Sequence, residues 1–171
     1  MSKLALIDYV LNPDFKVNDN FLEEVSASMK VDLIQERCQS IVFEFDKQLG
    51  REYKGGIFPF FNSQNSKVCK VCDYIIFSEY KGNLFALVIE LKTSAQSTLP
   101  QIKAGECFVD YLISTVNRIN KTNHTIQKRR VSIREFQRKK KTKCQHRVKK
   151  IAGKSLLTKI LSDFLGSCFI Y

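Results

Sequence analysis

The chain of 171 residues contains no apolar run approaching the roughly 20 residues that a membrane-spanning helix needs. From Met1 to Pro13 no basic segment is followed by an apolar stretch, so no signal peptide is expected. No internal repeat is visible. A second cysteine pair, which would make Cys69 and Cys72 part of a strong zinc set, is missing; Cys144 and His146 complete it only weakly. Gly55-Gly56 is followed by no Lys-Ser/Thr, so it reads as a bend rather than a phosphate loop. Cys168 with Phe169 and Tyr171 makes a poor prenylation box, and a buried chain end is the better reading. The six cysteines lie scattered in apolar segments, as reduced core thiols of a cytosolic, intracellular protein would.

Acidic residues are scarce in one region alone. Residues 121–171 hold fifteen Lys and Arg against Glu135 and Asp163, whereas residues 1–120 hold thirteen against fifteen acids. The net charge of +11 therefore belongs to the C-terminal third. Such a field attracts polyanions, of which nucleic acid is the commonest inside cells. Twelve of these cations fall between Lys128 and Lys150. Val131, Ile133 and Phe136 alternate with them, as in a strand with one basic face. Arg129, Arg130, Arg134, Arg138, Lys139, Lys140, Lys141 and Lys143 are the candidate phosphate contacts. The plainer alternative is a solvated charged tail.

Periodicity predicts a short helix over Ser2–Leu11, closed by Asn12-Pro13. A second helical region is expected from Asn20, where Glu23 has capping-box spacing, through the stripe Ile34, Cys38, Ile41 and Phe45 to Gly50. Lys54 to Phe61 reads as an irregular strand. Val71–Tyr80 and Leu84–Lys92 are rich in β-branched and aromatic residues and flank Lys81-Gly82-Asn83, a hairpin signal. Pro100 opens a helix with the stripe Ile102, Phe108, Tyr111, Leu112, Val116 and Ile119. Ile126–Phe136 holds a strand around Val131, and Ser155–Phe164 a last amphipathic helix. This order describes an α/β protein, a mixed central β-sheet flanked by helices. Residues 1–136 form its domain; residues 137–171 form a basic C-terminal extension, packed on it or continuous with it.

Alternation along a strand puts Glu90 and Lys92 on one face with Leu84, Ala86 and Val88. A two-residue loop at Gly82-Asn83 sets Asp73 opposite Lys92 and diagonal to Glu90; a four-residue loop sets it opposite Glu90. Any even loop keeps the cluster, and an odd one destroys it. Two carboxylates on a sheet face are costly to bury without compensation. Mg²⁺ supplies it, with Mn²⁺ as a substitute, held by Asp73, Glu90 and the Leu91 carbonyl. Such an ion polarises a phosphoryl oxygen and activates water, while Lys92 orients that water or steadies developing charge. The plain alternative is a charged strand end with a cross-strand Asp–Lys pair.

The stretch from Cys72-Asp73-Tyr74 to Val88-Ile89-Glu90-Leu91-Lys92-Thr93-Ser94 resembles the core of the PD-(D/E)xK nuclease superfamily, which includes restriction enzymes and Holliday-junction resolvases. The likeness spans about residues 32–134. It implies a restriction-endonuclease-like fold with a Glu-bearing helix, a hairpin carrying Asp and then ExK, and a second helix behind. It carries a metal-binding role to Glu36, with Glu44 as the competitor, and a place near the site to Gln101. Cys72 stands where the family has proline, and Pro13-Asp14 lies too far from Glu90 to serve. The implied activity is that of an Mg²⁺-dependent endonuclease or other phosphodiesterase. Its partner would be DNA before RNA, with no membrane, and a homodimer stays open. The competing functions are a non-catalytic nucleic-acid-binding protein using residues 128–150 and an interaction subunit whose basic tail takes an acidic partner or a membrane surface.

Overall fold

The computed structural model describes residues 2–25, 29–33, 39–47, 61–62, 64–65, 68–92 and 97–134. Helix α1 (Lys3–Val10) is capped by the Ser2 hydroxyl, which accepts from the Ala5 N–H. The Glu79 carboxylate accepts the Leu4 N–H, so one acid satisfies the helix start and ties it to the sheet. A 3-10 turn (Pro13–Phe15) leads into β1 (Lys16–Val17). Then come β2 (Phe21–Glu24), β3 (Met29–Asp32), β4 (Gln39–Glu44), β5 (Tyr74–Tyr80) and β6 (Asn83–Lys92). Helix α2 (Leu99–Asn120) crosses over to β7 (Ile126–Arg134).

Five strands form a mixed sheet in the order β1-β4-β5-β6-β7, and β2-β3 form a separate hairpin. All neighbours in the sheet are antiparallel except β6 and β7, which are parallel. A parallel pair needs a long crossover, and α2 is that crossover. Over the described residues the protein is thus α/β, with a mixed five-stranded sheet and two helices. Among the described residues no helix is long and apolar enough to cross a membrane.

Both faces of β5 and β6 are covered, which explains why their sequences are near-continuous apolar runs rather than alternating ones. On one face Ile75, Phe77, Leu84, Ala86 and Val88 pack with Leu4 and Ile7 of α1 and with Ile102, Val109, Leu112 and Val116 of α2. On the other, Ile76, Leu87, Ile89 and Leu91 pack with Leu22 and Met29 of the hairpin and Val131 and Ile133 of β7. Each such side chain contributes about 1.5–3 kcal/mol relative to exposure. Phe45 and Phe108 join sheet to helix, ring centroids 4.4 Å apart.

The described residues of Asn20–Gly50 do not form the helix expected there. The segment instead carries strands β2, β3 and β4. The stripe Ile41, Phe45 fits a helix, but Ile41-Val42-Phe43 is also a β-branched and aromatic run, and pairing with β5 over six residues settles the matter. On α2 the buried stripe is Ile102, Gly105, Val109, Leu112 and Val116. Tyr111 and Ile119, expected in it, point outward, 70 % and 48 % exposed. The strand expected over Lys54–Phe61, except Phe61 itself, and the helix expected over Ser155–Phe164 lie outside the described residues.

Gly105 explains how closely α2 lies on the sheet. A Cβ built there would stand 2.5 Å from Cys72 Sγ and 2.6 Å from Val88 Cγ1. Both neighbours adjoin the residues of interest, Asp73 and the β6 end. Gly105→Ala gains about 1 kcal/mol of helix propensity but overpacks a buried contact, which typically costs about 1–3 kcal/mol. Urea unfolding should find the variant less stable than the parent; a more stable variant would show that the helix stands off freely.

Candidate metal centre

The turn between β5 and β6 is Lys81-Gly82, one residue earlier than the Gly82-Asn83 expected. Both residues have positive φ, 46° and 74°. That is the left-handed pair a tight two-residue hairpin turn needs, with glycine at the second position. Tyr80 pairs with Asn83, and Tyr74 with Ile89. Continuing the register one step sets Asp73 across from Glu90, not Lys92. Because the slip moves the pairing by two positions, no side chain changes face. Glu90 and Lys92 alternate with Leu84, Ala86 and Val88 onto the face of α1 and α2, whereas Asp73, at the bend before β5, brings its carboxylate close to Glu24 of the β2–β3 hairpin.

Asp73 sits at the bend before β5, and its carbonyl accepts the Phe45 N–H at 2.8 Å. Its carboxylate oxygen Oδ2 accepts the Leu91 N–H. Glu90 is 1 % exposed. Lys92 Nζ lies 2.8 Å from Glu90 Oε1. Glu90 Oε2 is buried and has no hydrogen-bond partner among the described residues. Such an oxygen is costly in a protein interior unless something answers it.

A second group of acids surrounds Asp73, and the sequence reading did not foresee it. Glu24 at the end of β2, Asp46 after β4, and Asp73 each offer a carboxylate oxygen within 4.8 Å of the others. Glu90 stands outside this tight trio but acts on it through its charge. Burial pushes the Asp73 carboxyl up to about 7, opposed by the Leu91 N–H and reinforced by Glu90, Asp46 and Glu24. Asp46 is exposed at its outer edge, yet desolvation raises it to about 6, with Glu24, Glu44 and Glu90 adding to the rise. Glu90 is also raised, by burial, although its hydrogen bond with Lys92 pulls the other way. Burial outweighs the ion pair there. The same bond holds the Lys92 ammonium above its ordinary range. Each unit by which a carboxyl is raised costs its ionised form about 1.4 kcal/mol. The oxygen-only donor set suits a hard divalent cation such as Mg²⁺, Mn²⁺ or Ca²⁺.

The other expected residues fare unequally. Glu36 lies outside the described residues, and the helix meant to carry it is replaced by strands on both sides. Glu44 pairs with Tyr74 on β5, and by alternation faces the opposite side of the sheet from Glu90. It is therefore not a natural partner for the Asp73–Glu90 pair. Gln101 is half-buried in the first turn of α2. On β7, Arg130 makes two 2.8 Å bonds to Glu106 of α2, and Lys128 contacts Asp110. Arg129 donates to the Gln127 side chain and the Lys128 carbonyl. The basic strand face is thus largely answered by the helix beside it. Arg134 ends β7, in register with Lys92. Arg138, Lys139, Lys140, Lys141 and Lys143, with Cys144 and His146, lie outside the described residues. Cys72 is buried under α2, and burial raises its thiol, which suits a core residue better than a zinc ligand.

No family model, curated protein or solved structure matches this chain. Its chemistry has to be read from these residues alone. A strand reading of residues 39–46 was the one signal that could have exposed Asp46; for Glu24 the sequence held none.

A carboxyl whose folded-state pKa exceeds its unfolded value binds protons more tightly when folded. Stability from it is full at low pH and is lost as pH rises through the folded value. For Asp73 the window runs from 3.8 to about 7, and for Asp46 from 3.8 to about 6. In EDTA, the thermal midpoint should fall as pH rises through this window, and Asp73→Asn should flatten the fall. A metal-free midpoint rising over the same range would contradict the crowding of these acids.

Proposed function

We propose that the protein is a metal-dependent phosphodiesterase acting on nucleic acid, DNA in the first place, through Asp73, Glu90 and Lys92. The observation that carries this reading is Glu90: buried, opposite Asp73, one oxygen on Lys92 and the other without a partner among the described residues. Asp73, Glu90 and the Leu91 carbonyl would hold the cation, Mg²⁺ or Mn²⁺. When bound it supplies Lewis acidity and a water acidic enough to attack near neutral pH. The existing bond at Oε1 leaves Oε2 for the ion, so Lys92 need not be displaced. Lys92 is partly exposed, 28 % at its side chain, and its ammonium can reach a phosphate oxygen with one N–H while Glu90 holds another.

The element order supports the likeness to the PD-(D/E)xK nucleases, and with it a restriction-endonuclease-like core. A hairpin carries Asp73 and then Glu90-x-Lys92, α2 follows behind it, and β7 returns parallel to β6. What departs, among the described residues, is the Glu-bearing helix: Glu24 at the end of β2 and Asp46 after β4 lie near Asp73 instead. A binding protein without catalysis, relying on residues 128–150, is less favoured. Lys128 and Arg130 are engaged with Asp110 and Glu106 and would have to exchange those partners for phosphates.

Plasmid and single-stranded DNA should be cleaved with Mg²⁺ or Mn²⁺ and left intact in EDTA. Lys92→Ala should lower the rate about 10²–10³-fold, the usual effect of removing one group that stabilises transition-state charge, with DNA affinity little changed. Cleavage that survives EDTA, or an undiminished Lys92→Ala, would overturn the proposal.

The cations beyond β7 give a separate expectation. Neutralising Arg138, Lys139, Lys140, Lys141 and Lys143 together should weaken binding to all sequences alike. It should also flatten the plot of log affinity against log salt by roughly one unit per lost phosphate contact. An unchanged slope after deletion beyond Phe136 would remove this segment from DNA binding and leave the Asp73–Glu90–Lys92 reading intact.

A further inference from the structure

Strand β7 turns its two faces to different neighbours. Val131 and Ile133 enter the core beneath the β2–β3 hairpin, while Lys128 and Arg130 meet Asp110 and Glu106 of α2. Alternation then sends Ser132 and Arg134 to the α2 side as well, the side of Glu90 and Lys92. The register is direct: Ser132 pairs with Glu90, and Arg134 with Lys92. Neighbouring strands lie about 4.8 Å apart, so a hydroxyl adjoins the buried carboxylate and two cations stand side by side. Like charges at paired positions repel, and an anion that touches both relieves the repulsion.

Helix α2 supplies an acid to each of the earlier two cations. Two residues along a strand match about four along a helix, so Ser132 comes level with Ile102 and Lys103. From Leu99 to Gly105 the helix carries no acid. The ladder of paired charge on α2 thus stops where the site begins. β7 is also the outermost strand among the described residues, and Ser132 is exposed although Glu90 beside it is buried. On the far side of Glu90 stands Asp73, with Asp46 and Glu24 around it. The site is acidic on one border and basic on the other. A phosphodiester is repelled by the first and drawn to the second.

We propose that Ser132 and Arg134 of β7, together with Lys92, seat the reacting phosphodiester of the substrate strand. The Arg134 guanidinium donates to one non-bridging oxygen and the Ser132 hydroxyl to the other. Lys92 keeps its bond to Glu90 and reaches the same phosphate with another N–H. The strand therefore crosses the sheet at its β7 edge and not over the acids beyond Asp73. Arg134 acts at the reacting centre, unlike the cations of the basic tail. This seat rests on the nuclease reading given above.

The test compares variants of the full chain on a single-stranded tetranucleotide, in Mg²⁺ for cleavage and in EDTA for binding. Arg134→Ala should lower kcat/KM about 10–100-fold, the usual loss of one bond to a charged group. Arg134→Lys should recover part of that loss, and Ser132→Ala should lose less than Arg134→Ala. Arg118→Ala removes an exposed cation near the other end of α2 and should behave as the parent. Ser132 and Arg134 are exposed, so their variants should fold as the parent does, which the thermal midpoint checks. Mn²⁺ affinity, read by electron paramagnetic resonance, should stay at the parent value, because neither residue is a ligand. An Arg134→Ala that matches Arg118→Ala overturns the inference, and so does one that loses Mn²⁺. If the wild type binds the strand without cutting it, the proposed function falls. The seat then stands as a phosphate site if Arg134→Ala and Ser132→Ala weaken binding, and falls if they bind as Arg118→Ala does. A wild type that binds neither Mn²⁺ nor the strand overturns both.

Discussion

The pairing of β5 with β6 is the constraint on which the rest of the structure depends. A two-residue turn at Lys81-Gly82 sets the register, and seven cross-strand pairs carry it from Tyr80 and Asn83 to Tyr74 and Ile89. One step further lie Asp73 and Glu90. A slip of a single residue would take Asp73 away from Glu90 and bring Ile75 and Phe77 out of the core beneath α1 and α2. Burial of those side chains therefore enforces the geometry of the carboxylates, whose own bonds to the Leu91 N–H and to Lys92 are outweighed by desolvation. The apolar core holds the charged end in place.

That division is visible in how charge is answered across the molecule. At the outer edge of α2 and β7, Arg130 meets Glu106 and Lys128 meets Asp110, pairs in solvent that fix little and contribute little. At the other end, acids converge from β2, β4, β5 and β6, and the pKa of each of Asp46, Asp73 and Glu90 is raised. Protonation is one way to relieve that crowding, and a bound cation is the other. A site that is unfavourable when ionised and empty-handed is the expected condition of a metal centre before its metal.

The hairpin β2–β3 gives the second face of the sheet its cover. Leu22 and Met29 close over Ile76, Leu87, Ile89 and Leu91, a role that a helix would fill in a three-layered α/β arrangement. Its attachment to the sheet at the acidic end runs through the Tyr74 hydroxyl and the Glu23 backbone. An apolar contact thus places the hairpin, a neutral hydrogen-bond pair orients its end, and Glu24 is left facing Asp46 and Asp73.

Hydrophobic patterning by itself determined the parts of this protein whose signals are local. The α1 segment before Asn12-Pro13, the VCDYIIFSEY and LFALVIELK strands, the Pro100 helix and the strand around Val131 were all legible from period and turn residues. So was the sharing of one strand face by Glu90 and Lys92, because that depends only on alternation along β6. Tertiary structure alone decided the region from Asn20 to Gly50, where a helical stripe and a β-branched run compete and pairing with β5 tips the balance. It also decided the turn position, since Lys81-Gly82 and Gly82-Asn83 are both acceptable locally and only the packing of the whole hairpin separates them. Glu24 and Asp46 could not be read from spacing, because 22 residues of chain separate them and two sheets must dock before they meet. A site assembled from distant segments is encoded in the core that docks them, and the core residues say nothing of the charges they bring together.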